Sequence, residues 1–124
     1  MNILITGVCG FIGFSLAEEL MKTKNKIIGV DNINNYYSKK LKKKRLTILK
    51  KKKNFKFILA DINNYKKLVK ETKQIKIDII FNFAAQAGVR YAVKNPKSYI
   101  HSNVDGFKSL IKFVLYKKPK KFIF

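Results

Sequence analysis

Apolar and polar positions alternate between two periods along this chain. Ile3-Leu4-Ile5 is a short apolar, β-branched run and reads as a buried strand over residues 2–6. After it, Phe11, Ile12, Leu16, Ala17, Leu20 and Met21 recur at helical spacing and predict a helix over about residues 11–23 with an apolar stripe. A second strand follows at 27–31, then a polar, asparagine-rich loop from Asp31 to Tyr37. From Ser38, a suitable N-cap, to about Lys52 the pattern is helical, with Leu41, Arg45, Leu46, Ile48 and Leu49 able to face inward. Phe55 to Leu59 reads as a third strand. Asn63 or Asn64 caps a short helix to about Thr72, and Ile77 to Phe83 reads as a fourth strand. Ala84 to Asn95 is expected to be a long loop. Pro96 opens a long helix to about Tyr116, and 121–124 begins a fifth strand.

Strands alternating with helices demand a parallel sheet covered on both faces. The expected fold class is α/β, a doubly wound parallel sheet with strand order 3-2-1-4-5, ending within the fifth strand. At 124 residues the chain forms one domain, with 47% hydrophobic residues available for a core.

The glycines at 7, 10 and 13 change this picture from a fold to a site. They lie between the first strand and the first helix, where the chain must turn sharply and can approach a ligand closely. The free N–H groups and the positive end of the helix dipole then face an anion such as a pyrophosphate. Asp31 closes the second strand about 20 residues on, as a dinucleotide site requires. Ligands of such sheets sit at the carboxyl ends of the strands. Gly7, Gly10, Phe11, Ile12 and Gly13 would hold the pyrophosphate, and Asp31 and Asn32 the adenosine ribose. Asp61 and Ile62 would meet the adenine, and Ala84, Ala85 and Gln86 the nicotinamide side. The Asp31 carboxylate would repel a 2′-phosphate, so NAD is expected over NADP.

Composition narrows the alternatives. There are 28 basic against 7 acidic residues, a net charge of +21. Only Arg45 and Arg90 are arginines, so the forks favoured in base readout are nearly absent. Solvated lysine faces are the simpler reading, and nucleic-acid binding is not expected. No run of about 18 apolar residues suggests a membrane span. The single cysteine, Cys9, suggests a reducing, cytoplasmic setting and reads as a small turn residue. No cluster has metal-ligand spacing, and His101 reads as a helix-surface residue.

Thr6-Gly7-x-x-Gly10-Phe11-Ile12-Gly13 resembles the cofactor fingerprint of the extended short-chain dehydrogenase/reductases, with Asp31-Asn32, Asp61-Ile62 and Ala84-Ala85 in matching order. Asp31-Asn32-x-Asn34-x-Tyr36-Tyr37, the segment Ala84 to Tyr91, Asn95-Pro96 and Ser102-Asn103-x-x-Gly106 are similar to the UDP-glucuronate 4-epimerase branch of the nucleotide-sugar epimerases. The resemblance implies a Rossmann-like domain over 1–124 that binds NAD and, in complete relatives that form homodimers, a nucleotide sugar. It implies C4 oxidation to a 4-keto intermediate and hydride return to the other face. It gives Asn103 the role of a structural asparagine near the cofactor and brings Arg90 toward a sugar-nucleotide carboxylate or phosphate. It also implies a serine or threonine and a Tyr-x-x-x-Lys pair after the fifth strand, where this chain ends. The spacings Tyr36/Lys40 and Tyr116/Lys120 do not qualify by position, so no catalytic residue is assigned. The expectation is the NAD-binding portion of a 4-epimerase converting UDP-glucuronate to UDP-galacturonate, inactive alone. The alternatives are a non-catalytic NAD-binding module or a polyanion-binding protein using lysines of residues 39–53.

Overall fold

A computed structural model describes residues 1–124. Five strands, β1 (Asn2–Thr6), β2 (Lys26–Asp31), β3 (Phe55–Leu59), β4 (Ile79–Asn82) and β5 (Lys121–Ile123), form one sheet in the order β3-β2-β1-β4-β5. All four pairings are parallel; Ile3 lies between Ile27 and Ile79, and Thr6 between Val30 and Asn82.

The period-two alternation of the strands separates two cores. Leu4, Ile28, Val30, Ile58 and Ile80 point to one face, where Leu68 of α3 (Tyr65–Glu71) and Leu110 and Phe113 of α6 (Gly106–Lys117) cover them. Ile3, Ile5 and Ile27 point to the other, under Ala17 and Met21 of α1 (Phe11–Met21) and Leu46 and Leu49 of α2 (Lys39–Lys50). Each such buried side chain contributes about 1.5–3 kcal/mol of transfer free energy. The Ser38 hydroxyl accepts from the Leu41 N–H at 3.2 Å, capping α2. The Asn64 carboxamide accepts from the Lys67 N–H at 3.0 Å, capping α3.

Three expectations are corrected. The stretch 84–95 is not all loop, because α4 (Val89–Lys94) forms within it. The long helix is not regular: α5 (Pro96–Tyr99) passes through a π-helical segment, Ile100–Asp105, before α6. Helix faces also differ from the apolar pattern. Phe11 and Ile12, in the first turn of α1, are exposed because they border an open cleft rather than the core. On α2, Leu41 and Ile48 are exposed while Lys42 is buried at 6% exposure. The long methylene stem of a lysine can lie against apolar surface as a leucine does.

Candidate functional site

At the carboxyl ends of β1, β2, β3 and β4 the chain encloses a cleft of about 420 Å³, within the usual range for a small-molecule site. The order of the sheet makes it there. The chain leaves β1 toward β2 by α1, and reaches β4 by a crossover on the opposite face, so the connections diverge beside β1.

The glycine turn forms the middle of its wall. Gly7 has φ +66°, and a Cβ there would stand 2.7 Å from the Phe83 carbonyl carbon. A Cβ on Gly13 would stand 2.4 Å from the Gly7 carbonyl oxygen. Both glycines are therefore dictated by the turn itself. The Gly10 N–H donates to the Gly7 carbonyl at 2.9 Å, and the Phe14 N–H to the Gly10 carbonyl at 3.0 Å. The N–H groups of Phe11, Ile12 and Gly13 are left unpaired, α1 carries no side-chain cap, and its first turn holds no acid. Those three residues line the cleft, so the positive end of the helix faces it.

The Cys9 peptide is gripped from both sides. Its N–H donates to Asp31 Oδ2 at 3.0 Å, and its carbonyl accepts from Arg45 Nη1 at 3.1 Å. Asp31 is buried at the end of β2, and its Oδ1 accepts from the Ile33 N–H at 2.8 Å. A carboxylate offers about four acceptor positions, so lone pairs remain for ribose hydroxyls. Burial, then the charge of Asp31, pushes the Cys9 thiol up to about 12, partly opposed by Lys42, Arg45 and Lys50. Burial and the raised pKa both disfavour the reactive thiolate.

Asp61 and Ile62 follow β3 and line the cleft beyond Asp31. Asp61 Oδ2 accepts from Asn32 Nδ2 at 2.9 Å, and Oδ1 accepts from the Asn63 N–H at 2.9 Å and Asn63 Nδ2 at 3.1 Å. Partial burial works to raise the Asp61 pKa, but these donors and His101 outweigh it and hold the carboxyl below its ordinary value. His101 Nε2 lies 3.5 Å from Asp61 Oδ2, so this histidine, though exposed, touches the wall of the site.

On the β4 side, the buried Thr6 hydroxyl donates to Asn82 Oδ1 at 2.5 Å and accepts from the Ala84 N–H at 3.2 Å. That fixes Ala84, Ala85 and Gln86 along the cleft. Asn103, in the π segment, holds Gln86 by two bonds: Oδ1 accepts from the Gln86 N–H at 2.8 Å, and Nδ2 donates to its carbonyl at 2.9 Å. Asn103 itself does not line the cleft. Arg90 stands exposed on α4, outside the lining residues.

The cleft thus collects Gly7, Gly10, Phe11, Ile12, Gly13, Asp31, Asn32, Asp61, Ile62, Ala84, Ala85 and Gln86 in one place. Sequence reasoning missed Lys42 and Arg45 as lining residues, and it assigned no site role to Asn34, Tyr36, Tyr37 and Ser102, which lie in the motifs quoted above. Lys42 Nζ donates to Asn34 Oδ1 at 2.8 Å and lies 4.7 Å from the centre of the Tyr37 ring. A local cue for Asn34, Tyr36 and Tyr37 existed in their closeness to the end of β2.

The fit to a dinucleotide rests on three observations. Unpaired amides and two cationic side chains, Lys42 and Arg45, face the cleft where a pyrophosphate would be neutralised. The Asp31 carboxylate keeps spare lone pairs at the end of β2, beside the glycine turn. The Gln86 side-chain nitrogen is buried and has no hydrogen-bond partner in the protein. Buried polar groups are seldom left so. No three His, Cys, Asp or Glu side chains group to hold a metal, and no helix is long and apolar enough to cross a membrane.

Comparison with known proteins agrees with this geometry. The chain is 47% identical over 111 residues to CapI of Staphylococcus aureus, covering 90% of this chain and 33% of CapI. It is 38% identical over 120 residues to UDP-glucuronate 4-epimerase 4 of Arabidopsis thaliana, covering 97% of this chain and 27% of that enzyme. The crystal structure of UDP-glucuronic acid 4-epimerase from Bacillus cereus, in complex with UDP-glucuronic acid and NAD, superposes with a TM-score of 0.86 at 31% identity, covering 98% of this chain and 38% of that one. The chain therefore spans about a third or less of these curated relatives. The sequence model of the GDP-mannose 4,6 dehydratase family matches residues 4–124, and the chain belongs to that family.

Proposed function

We propose that this chain is the NAD-binding portion of a nucleotide-sugar 4-epimerase of the UDP-glucuronate type. The observation that carries the reading is the convergence, in one cleft, of the free amides of α1, the Asp31 carboxylate and the Asp61-Ile62 and Ala84-Gln86 segments. Among the relatives that align over nearly the whole chain are UDP-glucuronate 4-epimerases, one of them solved with NAD and UDP-glucuronic acid.

NAD, when bound, supplies the hydride acceptor and donor for chemistry at the sugar C4. The chain's own residues have simpler tasks. The amides of Phe11, Ile12 and Gly13 bind the pyrophosphate, with Lys42 and Arg45 adding positive charge. Asp31 accepts from the adenosine ribose hydroxyls, and its negative charge disfavours a 2′-phosphate there. Asp61 and Ile62 bound the adenine. Ala84 and Ala85, having small side chains, let the other half of the dinucleotide lie close to the backbone.

The groups that would move the C4 proton are not in this cleft. Tyr36 lines it, but Lys40 does not. Tyr116 is packed edge-on against Tyr65, and neither it nor Lys120 lines the cleft. The 124-residue chain alone is therefore expected to bind NAD without turning over UDP-glucuronate. Calorimetric titration with NAD, followed by an assay for UDP-galacturonate, tests both parts. Absence of NAD binding overturns the site assignment, and C4 epimerisation by this chain alone overturns the claim that it needs further residues.

A further inference from the structure

The orphaned carboxamide of Gln86 has a place in this site that its backbone alone does not explain. Gln86 is 6% exposed, borders the cleft, and its Nε2 has no partner. A buried donor left unsatisfied destabilises the fold that contains it, so a ligand acceptor is the natural complement. The residue is also held with unusual care. Asn103 reaches across from the π-helical segment and bonds both the N–H and the carbonyl of Gln86. A π bulge is rare in a helix and often marks a functional site. Here its consequence is that one side chain fixes the peptide on both sides of the Gln86 Cα.

Position within the cleft says which part of a ligand Gln86 meets. Asp31 and Asp61 stand at the ends of β2 and β3, on one side of the glycine turn. Gln86 follows β4, on the other side. With adenosine at Asp31 and the pyrophosphate at the turn, Gln86 faces what lies beyond the pyrophosphate.

We propose that the Gln86 carboxamide is the donor that recognises the half of the dinucleotide beyond the pyrophosphate, through a ribose hydroxyl or carboxamide oxygen, and that Asn103 is the positioning residue that holds it there. The inference rests on the dinucleotide reading of the cleft. Gln86 gives the site its preference for a whole dinucleotide over its adenosine diphosphate half.

The test compares NAD with ADP on the full 124-residue chain and on Gln86→Leu, Asn103→Ala and the double variant. Gln86→Leu removes the donor and keeps the volume. It should weaken NAD about tenfold, the worth of one good hydrogen bond, and leave ADP within about twofold. Its ligand-free melting temperature should stay level or rise, because the unsatisfied group is gone. Asn103→Ala should weaken NAD in the same selective way, and the double variant should lose little more than Gln86→Leu. A Gln86→Leu chain that binds NAD as well as wild type overturns the inference, as does an equal loss for NAD and ADP. Wild-type chain that binds neither ligand overturns the dinucleotide reading itself, and this inference with it.

Discussion

The Cys9 N–H donates to Asp31 Oδ2 at 3.0 Å, tying the glycine turn to the end of the neighbouring strand across 22 residues of sequence. The carboxylate is therefore an architectural acceptor as well as a proposed ligand group. Its other oxygen takes the Ile33 N–H at 2.8 Å. Replacing Asp31 with alanine strands two backbone donors at a buried position. The expected cost is about 1–3 kcal/mol for each donor left without an acceptor. Urea unfolding of Asp31→Ala should show that loss before any ligand is added. Asp31→Asn, which keeps one acceptor oxygen, should lose less. Equal stability of Asp31→Ala and wild type would mean that the turn does not depend on this bond.

Cys9 provides a second readout of the same turn. Its thiol is fully buried, with a pKa raised to about 12 by burial first and Asp31 next. At pH 8 only about one such thiol in ten thousand is ionised, so alkylation of the folded chain should be negligible. It should become rapid in denaturant. The pH consequence has a definite sign. The unfolded thiol ionises near 9.0 and the folded one near 12, so the folded state holds more protons between these values. Stability is unaffected below pH 9 and falls as pH rises through that window. Cys9→Ala should remove this part of the alkaline decline in thermal melts.

Asp61 contributes to the acid limb, as does Asp78, whose carboxylate accepts from the Asn2 N–H. The Asp61 pKa is lowered because the Asn63 N–H, the Asn32 and Asn63 carboxamides and His101 outweigh the opposing effect of burial. A depressed folded pKa contributes stability above the ordinary carboxyl value of 3.8 and loses it as pH falls through the folded value. Asp61→Asn should therefore be less stable than wild type at pH 7, and the gap should close below pH 4. Melting both chains from pH 7 to pH 2.5 checks this. A constant gap across that range would assign the acid sensitivity elsewhere.

What the sequence could and could not reveal follows from the range of each interaction. Strands and helices were legible, because unbroken apolar runs such as Ile3-Leu4-Ile5 and helically spaced pairs such as Leu46 and Leu49 state their own geometry, and their alternation carried the strand order. The glycine turn and Asp31 were legible because their spacing is local. The π segment was not, since nothing in Ile100–Asp105 departs from helical pattern. It is tied to the rest by contacts between distant residues, Asn103 with Gln86 and His101 with Asp61. Hydrophobicity also mis-set α2. Leu41 and Ile48 read as inward, yet the helix is rotated so that Lys42 lies inside, its ammonium donating to Asn34.

That inward lysine gives the last prediction. Nearly every lysine of α2 is exposed and replaceable, but Lys42 is buried against the loop that follows β2. Its ammonium donates to Asn34 Oδ1 at 2.8 Å and sits over the Tyr37 ring at 4.7 Å. Asn34, Tyr37 and Lys42 all line the cleft. Lys42→Met keeps most of the buried stem and removes only the charge and its hydrogen bond. The fold should persist, with a loss of about 1–3 kcal/mol for the broken charged bond. The loop 32–37 should exchange its amide hydrogens faster, because one anchor is gone. NAD affinity should fall as well, since a cation leaves the wall that faces the pyrophosphate. Lys43→Met, one residue away and exposed, controls for charge. It should change neither the exchange of the loop nor the affinity for NAD. Equal effects of the two substitutions would mean that net charge, rather than the contacts of Lys42, governs the site.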